Sequence, residues 1–249
     1  EIWELLRRLK SGGAPGIDRV PVSSLKTGKD SVSPPLTNLL NNIVKTGCIP
    51  KAMGHANTIL IHKQGDVTDV GNYRPISLLS SILKTLTKAI ANRLGHGEGG
   101  LYSKLPMEQA GFRPGHSTTE HIHALNMVAE KCYEFDIPLV AVFIDFRKAF
   151  DSIDYMAIWE ALSFYGIEQK WIDTIKMIYA QGSSAVRLDN LLAEFDVQRG
   201  VRQGDSLSPL LFITTLQHAL HGIDWKDYGI KINGSLISYL AYADDIVLL

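Results

Sequence analysis

The sequence predicts an α+β fold. Amphipathic segments with the helical period and clear stop signals alternate with short runs of β-formers. The densest of these runs, Leu139 to Phe146, has the length and near-continuous apolarity of a buried strand. Two successive hairpins are predicted over residues 230–249. Helices and hairpins in this combination indicate the α+β class.

The composition is that of a globular protein, with 45% hydrophobic and 20% charged residues in 249. No apolar run is long enough to predict a membrane span. Cys48 and Cys132 lack the spacing of a metal site, so we expect an intracellular chain without disulfides. The chain starts within a helical pattern without Met and stops within an apolar strand, so we expect a piece of a longer protein.

Charge is unevenly distributed along the chain, although the formal net charge is only −1. Residues 1–95 hold 13 Lys and Arg against 6 Asp and Glu, whereas residues 96–249 hold 12 against 20. A basic lobe beside an acidic one suits a site that grips phosphates on one side and metal ions on the other. Two solvated surfaces of opposite charge are the alternative.

The basic lobe is predicted to contain helices at residues 1–10 and 35–46, the second stopped by Gly47, and a third that ends near Leu94. The Gly- and Pro-rich loop at residues 12–21 is either a simple turn or a backbone contact for a polyanion. A strand over 58–63 delivers Lys63, and a short extended segment over 73–77 carries Arg74. These two cations could clamp a triphosphate; two ordinary surface cations are the alternative.

A flexible break at residues 96–100 is the predicted lobe boundary. Ser117 to Glu120 forms a capping box for a helix that ends near Phe135. We expect its inward face to comprise Ile122, Leu125, Val128 and Cys132. His116, His121 and His123 have only Glu120 at ligand spacing, which favours ordinary histidines over a metal site.

The run 139–146 is predicted to be a central buried strand that ends in Asp145. Helices at 155–165 and 169–181 follow, with Asp151 expected to cap the first of them. A strand pair should turn at Asp189-Asn190.

Beyond that pair, a Gly-containing loop at 199–209 should open a helix with Ser208 as N-cap and Pro209 at the first position. A hairpin with an Asn233-Gly234 turn precedes the chain's last motif. That motif places Asp244 and Asp245 at a tight tip between two apolar strands. Such carboxylates suit a divalent metal such as Mg²⁺, and a solvated turn is the alternative.

Taken together, the motifs of the chain resemble those of the reverse transcriptase family, in its non-LTR (LINE-like) retrotransposon branch. The resemblance extends over nearly the whole chain, and at least four blocks occur in the family's order. The blocks are Asn72 to Leu79, Gln109 to Arg113, Phe143 to Asp151, Gly200 to Phe212 and Tyr242 to Asp245.

The resemblance implies two-metal nucleotidyl transfer, with Mg²⁺ or possibly Mn²⁺ as the cofactor. Asp145 and Asp244 would bridge the metals, with Asp245 as the auxiliary acid. The backbone carbonyl of Phe146 could complete a metal shell. The expected substrates and partners are dNTPs, an RNA template and a DNA primer.

The family pattern also assigns the residues that bind the nucleotide. Lys63 and Arg74 would hold the triphosphate, and Phe150 would exclude a ribose 2′-OH by its bulk. Gln203 and Gly204 would line the nucleotide pocket and the template. A plain core aromatic is the alternative for Phe150.

The fold implied by the resemblance is a right-hand polymerase with an antiparallel palm sheet backed by helices. Residues 1–95 would form basic fingers, and residues 96–249 the palm, with a remaining fingers segment near 106–117. The thumb and a preceding endonuclease would be absent. Without a thumb the grip on the primer–template duplex should be weak, so we expect the fragment alone to be inactive. Action in the nucleus, the cytoplasm or both is expected. The alternatives are a polymerase-like RNA-binding scaffold that has lost catalysis and a two-metal nuclease.

Overall fold

The computed structural model describes residues 1–97, 99–188, 191–226, 228–232 and 234–249. The turns predicted at Asp189-Asn190 and at Asn233, and Glu98 in the predicted lobe boundary, lie outside the described residues. Helices and mainly antiparallel sheets make up the chain, which confirms the α+β class. None of the described helices has the length and apolarity that crossing a membrane requires.

Eleven α-helices are present in the described part of the chain. In chain order they are α1 (Ile2–Arg8), α2 (Val22–Thr27), α3 (Lys29–Thr46), α4 (Lys51–Gly54), α5 (Ser81–Gly95), α6 (Leu101–Lys104), α7 (Thr118–Glu134), α8 (Ala149–Ser152), α9 (Tyr155–Phe164), α10 (Gln169–Ala180) and α11 (Ser208–His221). The capping box of α7 and the left-handed stop of α3 at Gly47 are as predicted.

Nine strands form three sheets in the same residues. They are β1 (His55–His62), β2 (Tyr73–Leu78), β3 (Val142–Ile144), β4 (Ser183–Leu188), β5 (Leu191–Asp196), β6 (Ile230–Ile232), β7 (Ser235–Ile237), β8 (Tyr239–Tyr242) and β9 (Asp245–Leu248). The strand orders are β2-β1-β4-β5, β3-β9-β8 and β6-β7. All neighbours are antiparallel except β1 and β4.

One large apolar core joins the helices of both halves of the chain. Leu6 and Leu83 from the first half and Ile158, Ile175 and Leu211 from the second are all fully buried in it. The four-stranded sheet likewise pairs β1 with β4 across the predicted lobe boundary. The division of the chain at residues 96–100 stays a prediction.

A smaller core supports the three-stranded sheet. Tyr239, Ala241 and Ile246 form it, and Leu216 and Leu220 of α11 pack against them. Helix α11 therefore backs one face of this sheet, as the alternation of side chains along β8 and β9 requires.

The prediction that the run at 139–146 is a central buried strand is wrong. Only Val142–Ile144 is a strand, and β3 lies at the edge of the described sheet, with β9 in the centre. Val140 and Phe143 are each 73% exposed. An apolar run identifies residues suited to burial, but it does not show which other element covers them.

Four further predictions of local structure are wrong. Helix α3 starts at Lys29 and contains Pro34 and Pro35, so the Pro pair does not mark its beginning. Ser208 is the first residue of α11, whereas Leu207 is its N-cap. Asp154, not Asp151, caps α9, because its carboxylate accepts from the Met156 amide at 2.7 Å. Ile122 of α7 is 60% exposed, although Val128 and Cys132 are buried as predicted.

The Gly- and Pro-rich loop at residues 12–21 has a packing role in the structure. Ser80, the N-cap of α5, donates from its hydroxyl to Asp18 Oδ2 at 2.6 Å, and Ser81 donates to the Val20 carbonyl at 2.7 Å. Gly16 lies so close to this helix end that an added Cβ would be 2.5 Å from the Ser80 nitrogen. The loop is therefore held against α5.

Substituting Gly16 should destabilise the fold because its neighbours are backbone atoms that cannot move aside. We expect Gly16→Ala to lower the free energy of unfolding by about 1–3 kcal/mol, the usual cost of overpacking. Gly13→Ala is the matched control, because nothing lies within 4 Å of an added Cβ there. Chemical denaturation measures both, and equal midpoints for the two variants would contradict the packing role.

Candidate active site

A cleft of about 540 Å³ opens where the two larger sheets approach each other. Its walls come from the end of β1, the start of β2, the segment after β3, the loop after β5 and the β8–β9 turn. The polar and aromatic side chains that line it are Lys63, Asn72, Tyr73, Arg74, Asp145, Phe146, Arg147, Lys148, Phe150, Asp151, Gln203 and Asp244. Residues separated by up to 181 positions in sequence, from Lys63 to Asp244, thus share one site.

Sheet register places Asp145 next to the β8–β9 turn. Ile144 of β3 pairs with Ile246 of β9, so the residue after β3 lies next to the β8–β9 turn. Asp145 is that residue, and Asp244 lies in the turn itself. Within the described part of the chain, neither carboxylate has a hydrogen bond or an ion pair. Two such carboxylates close to one end of the sheet's strands are chemically suited to a hard cation.

Asp245 has a different environment from Asp244. It is the first residue of β9, its side chain is exposed, and it does not line the cleft. It lines an apolar groove with Phe143 and Leu240. Asp145 lines both spaces, so it shares the cleft with Asp244 and the neighbouring groove with Asp245.

Lys63 and Arg74 line the same cleft from the β1–β2 side. Arg74 pairs with Ile61 across the β1–β2 ladder, and the Lys63 amide donates to the Asn72 carbonyl at 2.9 Å. The ladder thus brings the two exposed cations close together, as predicted from their extended segments. Arg147 and Lys148 also line the cleft. Sequence reasoning did not include them in the site, although they follow Asp145 by only two and three residues.

Phe150 forms part of an aromatic stack at the base of the cleft. Its ring stacks on Phe212 of α11 with centroids 4.5 Å apart and planes 5° from parallel. Phe112 meets the Phe150 ring edge-on at 5.8 Å. The stack fixes the orientation of a half-buried ring that still faces the cleft.

Gln203 is held in place by both its side chain and its backbone. Its amide Nε2 donates to Asp151 Oδ1 at 2.9 Å, and its carbonyl accepts from the Ser77 amide at 2.8 Å. Burial raises the pKa of Asp151, and the Gln203 hydrogen bond and the Lys148 charge oppose that rise. Gly204 follows at φ +105°, outside the cleft lining, where an added Cβ would lie 3.0 Å from the Ser77 carbonyl oxygen.

Two of the three histidines of this region make contacts that are typical of ordinary structural histidines. His121 Nε2 lies 2.8 Å from the Glu108 carbonyl and 3.0 Å from the Ala241 carbonyl, and His116 contacts Glu120. No group of three or more His, Cys, Asp or Glu side chains is arranged to hold a metal within the described ranges. Both cysteines are free thiols.

Comparison with known proteins identifies the family. The model of the family described as reverse transcriptase (RNA-dependent DNA polymerase) matches residues 61–249, which is more than half of the chain. The chain belongs to the reverse transcriptase family.

Two curated relatives of this reverse transcriptase chain come from Drosophila melanogaster. A probable RNA-directed DNA polymerase from transposon BS is 32% identical over all of the chain, which covers 27% of that protein. A retrovirus-related Pol polyprotein from the type-2 retrotransposable element R2DM is 26% identical. That alignment covers 97% of this chain and 22% of the polyprotein. The relatives are non-LTR retrotransposon polymerases, which confirms the predicted branch. The chain spans only about a quarter of their length.

A solved structure supports the fold of the reverse transcriptase chain. The apo telomerase from Candida tropicalis, truncated from its C-terminal domain, aligns with a TM-score of 0.51 at 14% identity. The alignment covers 87% of this chain and 48% of the telomerase chain. At this identity, the likeness concerns the fold alone.

Beneath the Gln203 loop of this reverse transcriptase chain lies a buried polar cluster that sequence reasoning missed. Asp205 is buried and accepts from the Thr87 hydroxyl of α5 at 2.5 Å. Burial raises the pKa of the Asp205 carboxyl, and the Thr87 bond and the Arg202 charge oppose that rise. Arg202 is buried too and donates to the Ile178 carbonyl. The cluster ties the loop to α5 and α10.

Removing the Thr87 hydroxyl should destabilise the fold by leaving a buried oxygen of Asp205 without its partner. We expect Thr87→Val to lower the free energy of unfolding by about 1–3 kcal/mol. Thr85→Val is the matched control, because the Thr85 hydroxyl bonds only to the Ser81 carbonyl within α5. Urea denaturation compares them, and a smaller loss for Thr87→Val than for Thr85→Val would exclude the anchoring role of Asp205.

Proposed function

We propose that this chain contains the nucleotidyl-transfer site of an RNA-directed DNA polymerase that adds dNTPs to a DNA primer along an RNA template. The observation that supports the proposal is the single cleft lined by Asp145, Asp244, Lys63 and Arg74. Carboxylates and cations in one cleft suit a metal-bound triphosphate. The retrotransposon relatives support the reaction class.

The carboxylate pair fits Mg²⁺, and Mn²⁺ prefers similar oxygen ligands. A magnesium site of this kind uses one or two protein carboxylates and fills its other positions with substrate phosphates and water. Asp145, Asp244 and the Phe146 backbone carbonyl would hold the ions. When bound, the ions would acidify the primer 3′-hydroxyl and neutralise charge on the leaving pyrophosphate.

The chain's own residues would bind and orient the nucleotide. Arg74 presents a planar guanidinium that can contact two phosphate oxygens, and Lys63 adds a mobile point charge beside it. Phe150, fixed by its stack on Phe212, would contact the sugar and clash with a ribose 2′-OH. Gln203 would contact the nucleotide or template, with Gly204 allowing the loop to turn.

The telomerase likeness supports a right-hand arrangement of fingers and palm. Residues 1–95, with a segment near 106–117, would form the fingers, and the rest of 96–249 the palm. Helix α11 backing the β3-β9-β8 sheet agrees with a helix-backed palm. A protein of this kind would act on RNA and DNA in the cytoplasm, the nucleus or both.

Substituting either proposed metal ligand, Asp145 or Asp244, should strongly reduce activity because each change removes a negatively charged oxygen ligand of the metal ions. In the full-length polypeptide, we expect Asp145→Asn and Asp244→Asn to reduce oligo(dT)-primed dTTP incorporation on poly(rA) by roughly 10²- to 10³-fold, as for loss of one electrostatic stabiliser. Asp245→Asn is the matched control, with a smaller loss. Full activity in Asp145→Asn would exclude the metal assignment, and no activity in the intact protein would favour an RNA-binding scaffold.

Asp151 should act on the nucleotide only through Gln203. Asp151 Oδ1 accepts from the Gln203 NH₂ group, so the Gln203 carbonyl oxygen is left for the substrate side. We expect Asp151→Ala and Gln203→Ala each to lower kcat/KM for dTTP, with a coupling energy of about 1–3 kcal/mol in the double mutant.

The control for this cycle is Asp154→Ala, which removes the cap of α9 and does not contact Gln203. Its effect should add to that of Gln203→Ala. Additive effects of Asp151→Ala and Gln203→Ala would show that the two residues act independently.

A further inference from the structure

We propose that Gln109 is a positioning residue that holds the β8–β9 turn in the conformation that presents Asp244. Gln109 has a fully buried side chain, 0% exposed, and it lies outside the cleft lining. The inference rests on the proposed metal-binding role of Asp244. It concerns the residues that hold this ligand and not the ligand itself.

The Gln109 amide bonds to both backbone groups of Ala243, the residue before Asp244. Gln109 Oε1 accepts from the Ala243 amide at 2.9 Å, and Nε2 donates to the Ala243 carbonyl at 3.2 Å. Oε1 also accepts from the Gly111 amide at 2.8 Å. The carboxamide offers an acceptor and a donor in one planar group. The fit therefore depends on glutamine's polar end and on its length.

Ala243 needs these hydrogen bonds because its backbone is in the left-handed region, with φ +59°. This conformation is unfavourable for a residue with a Cβ, and it persists where surrounding contacts enforce it. Ala243 is itself buried, so water cannot take over the hydrogen bonds of its N–H and C=O groups. The turn that carries Asp244 is thus a strained backbone held by one buried side chain.

The backbone around Gln109 fixes the position of its side chain. Ala241 of β8 donates to the Glu108 carbonyl at 2.7 Å and accepts from the Ala110 amide at 2.9 Å. Gly111 allows the close approach, since an added Cβ would lie 1.9 Å from the Ala243 nitrogen. The segment 108–111 therefore pairs with β8 and reaches around the turn next to Asp244.

The test uses the full-length polypeptide, with Gln109→Met to keep the length of the side chain and remove its hydrogen bonds. Mn²⁺ affinity is measured by EPR titration, and primer extension is measured with oligo(dT) on poly(rA). We expect several-fold weaker Mn²⁺ binding and a fall in kcat of roughly 10- to 100-fold, because small misplacements of a reacting group are costly. Adding Ala243→Gly should restore part of both, because glycine adopts the left-handed conformation without strain.

Two controls separate positioning from general damage. Gln181→Met removes another glutamine that bridges two backbone groups, the Ile49 amide and the Gly47 carbonyl, and it should leave Mn²⁺ affinity unchanged. If Gln109→Met does not fold, Gln109→Glu serves in its place, since it keeps the acceptor for both N–H groups and loses the donor to Ala243.

Each outcome decides between the inference and the proposed function. If Asp145→Asn and Asp244→Asn weaken Mn²⁺ binding and a folded Gln109 variant does not, the inference is wrong and the proposed function stands. If the aspartate variants bind Mn²⁺ like the unmodified protein, the metal assignment itself fails. Equal losses in the Gln109 variant with and without Ala243→Gly would overturn the argument from backbone strain.

Discussion

The pairing of β9 with β3 on one side and β8 on the other is the constraint on which the candidate site depends. Side chains alternate between the faces of a strand, so a one-residue slip would direct the opposite set toward α11. The small core of Tyr239, Ala241 and Ile246 against α11 opposes such a slip. Because the register is fixed, the residue after β3 and the β8–β9 turn stay together where these strands end. Burial on the back of the sheet thereby holds Asp145 next to the turn that carries Asp244, and both residues line the cleft.

The loop after β5 depends on a second set of constraints, which link parts of the chain distant in sequence. Ser77 of β2 and Asp151 after β3 hold Gln203 by its backbone and side chain. Thr87 of α5 holds Asp205 two residues later. Loss of the Ser77, Asp151 or Thr87 contact would therefore alter the cleft by displacing this loop.

Much of the fold and several residues of the cleft could be predicted from sequence, because they depend on local patterns. The capping box of α7, the stop at Gly47 and the β8–β9 hairpin follow from residue chemistry within a few positions. The edge position of β3 could not be predicted, because the same apolar run suits a central or an edge strand. Asp151 and Asp154 offer the same N-cap signal three residues apart, and the sequence does not show which of them caps α9. The Thr87–Asp205 contact joins residues 118 positions apart, and no local pattern contains it.

Electrostatics of the cleft support the view that its charges are arranged for a substrate and not for one another. Four cations, Lys63, Arg74, Arg147 and Lys148, line the same cleft as Asp145, Asp151 and Asp244. Among the described residues, none of these cations comes within 4.0 Å of one of these carboxylates to form an ion pair. The β1–β2 ladder positions Lys63 and Arg74, whereas the β3-β9-β8 sheet positions Asp145 and Asp244. A metal-bound triphosphate would satisfy both, because its phosphates meet the cations while its metal ions meet the carboxylates. Because the two sheets position these charges in advance, the free-energy cost of rearranging the side chains when the nucleotide binds would be lower.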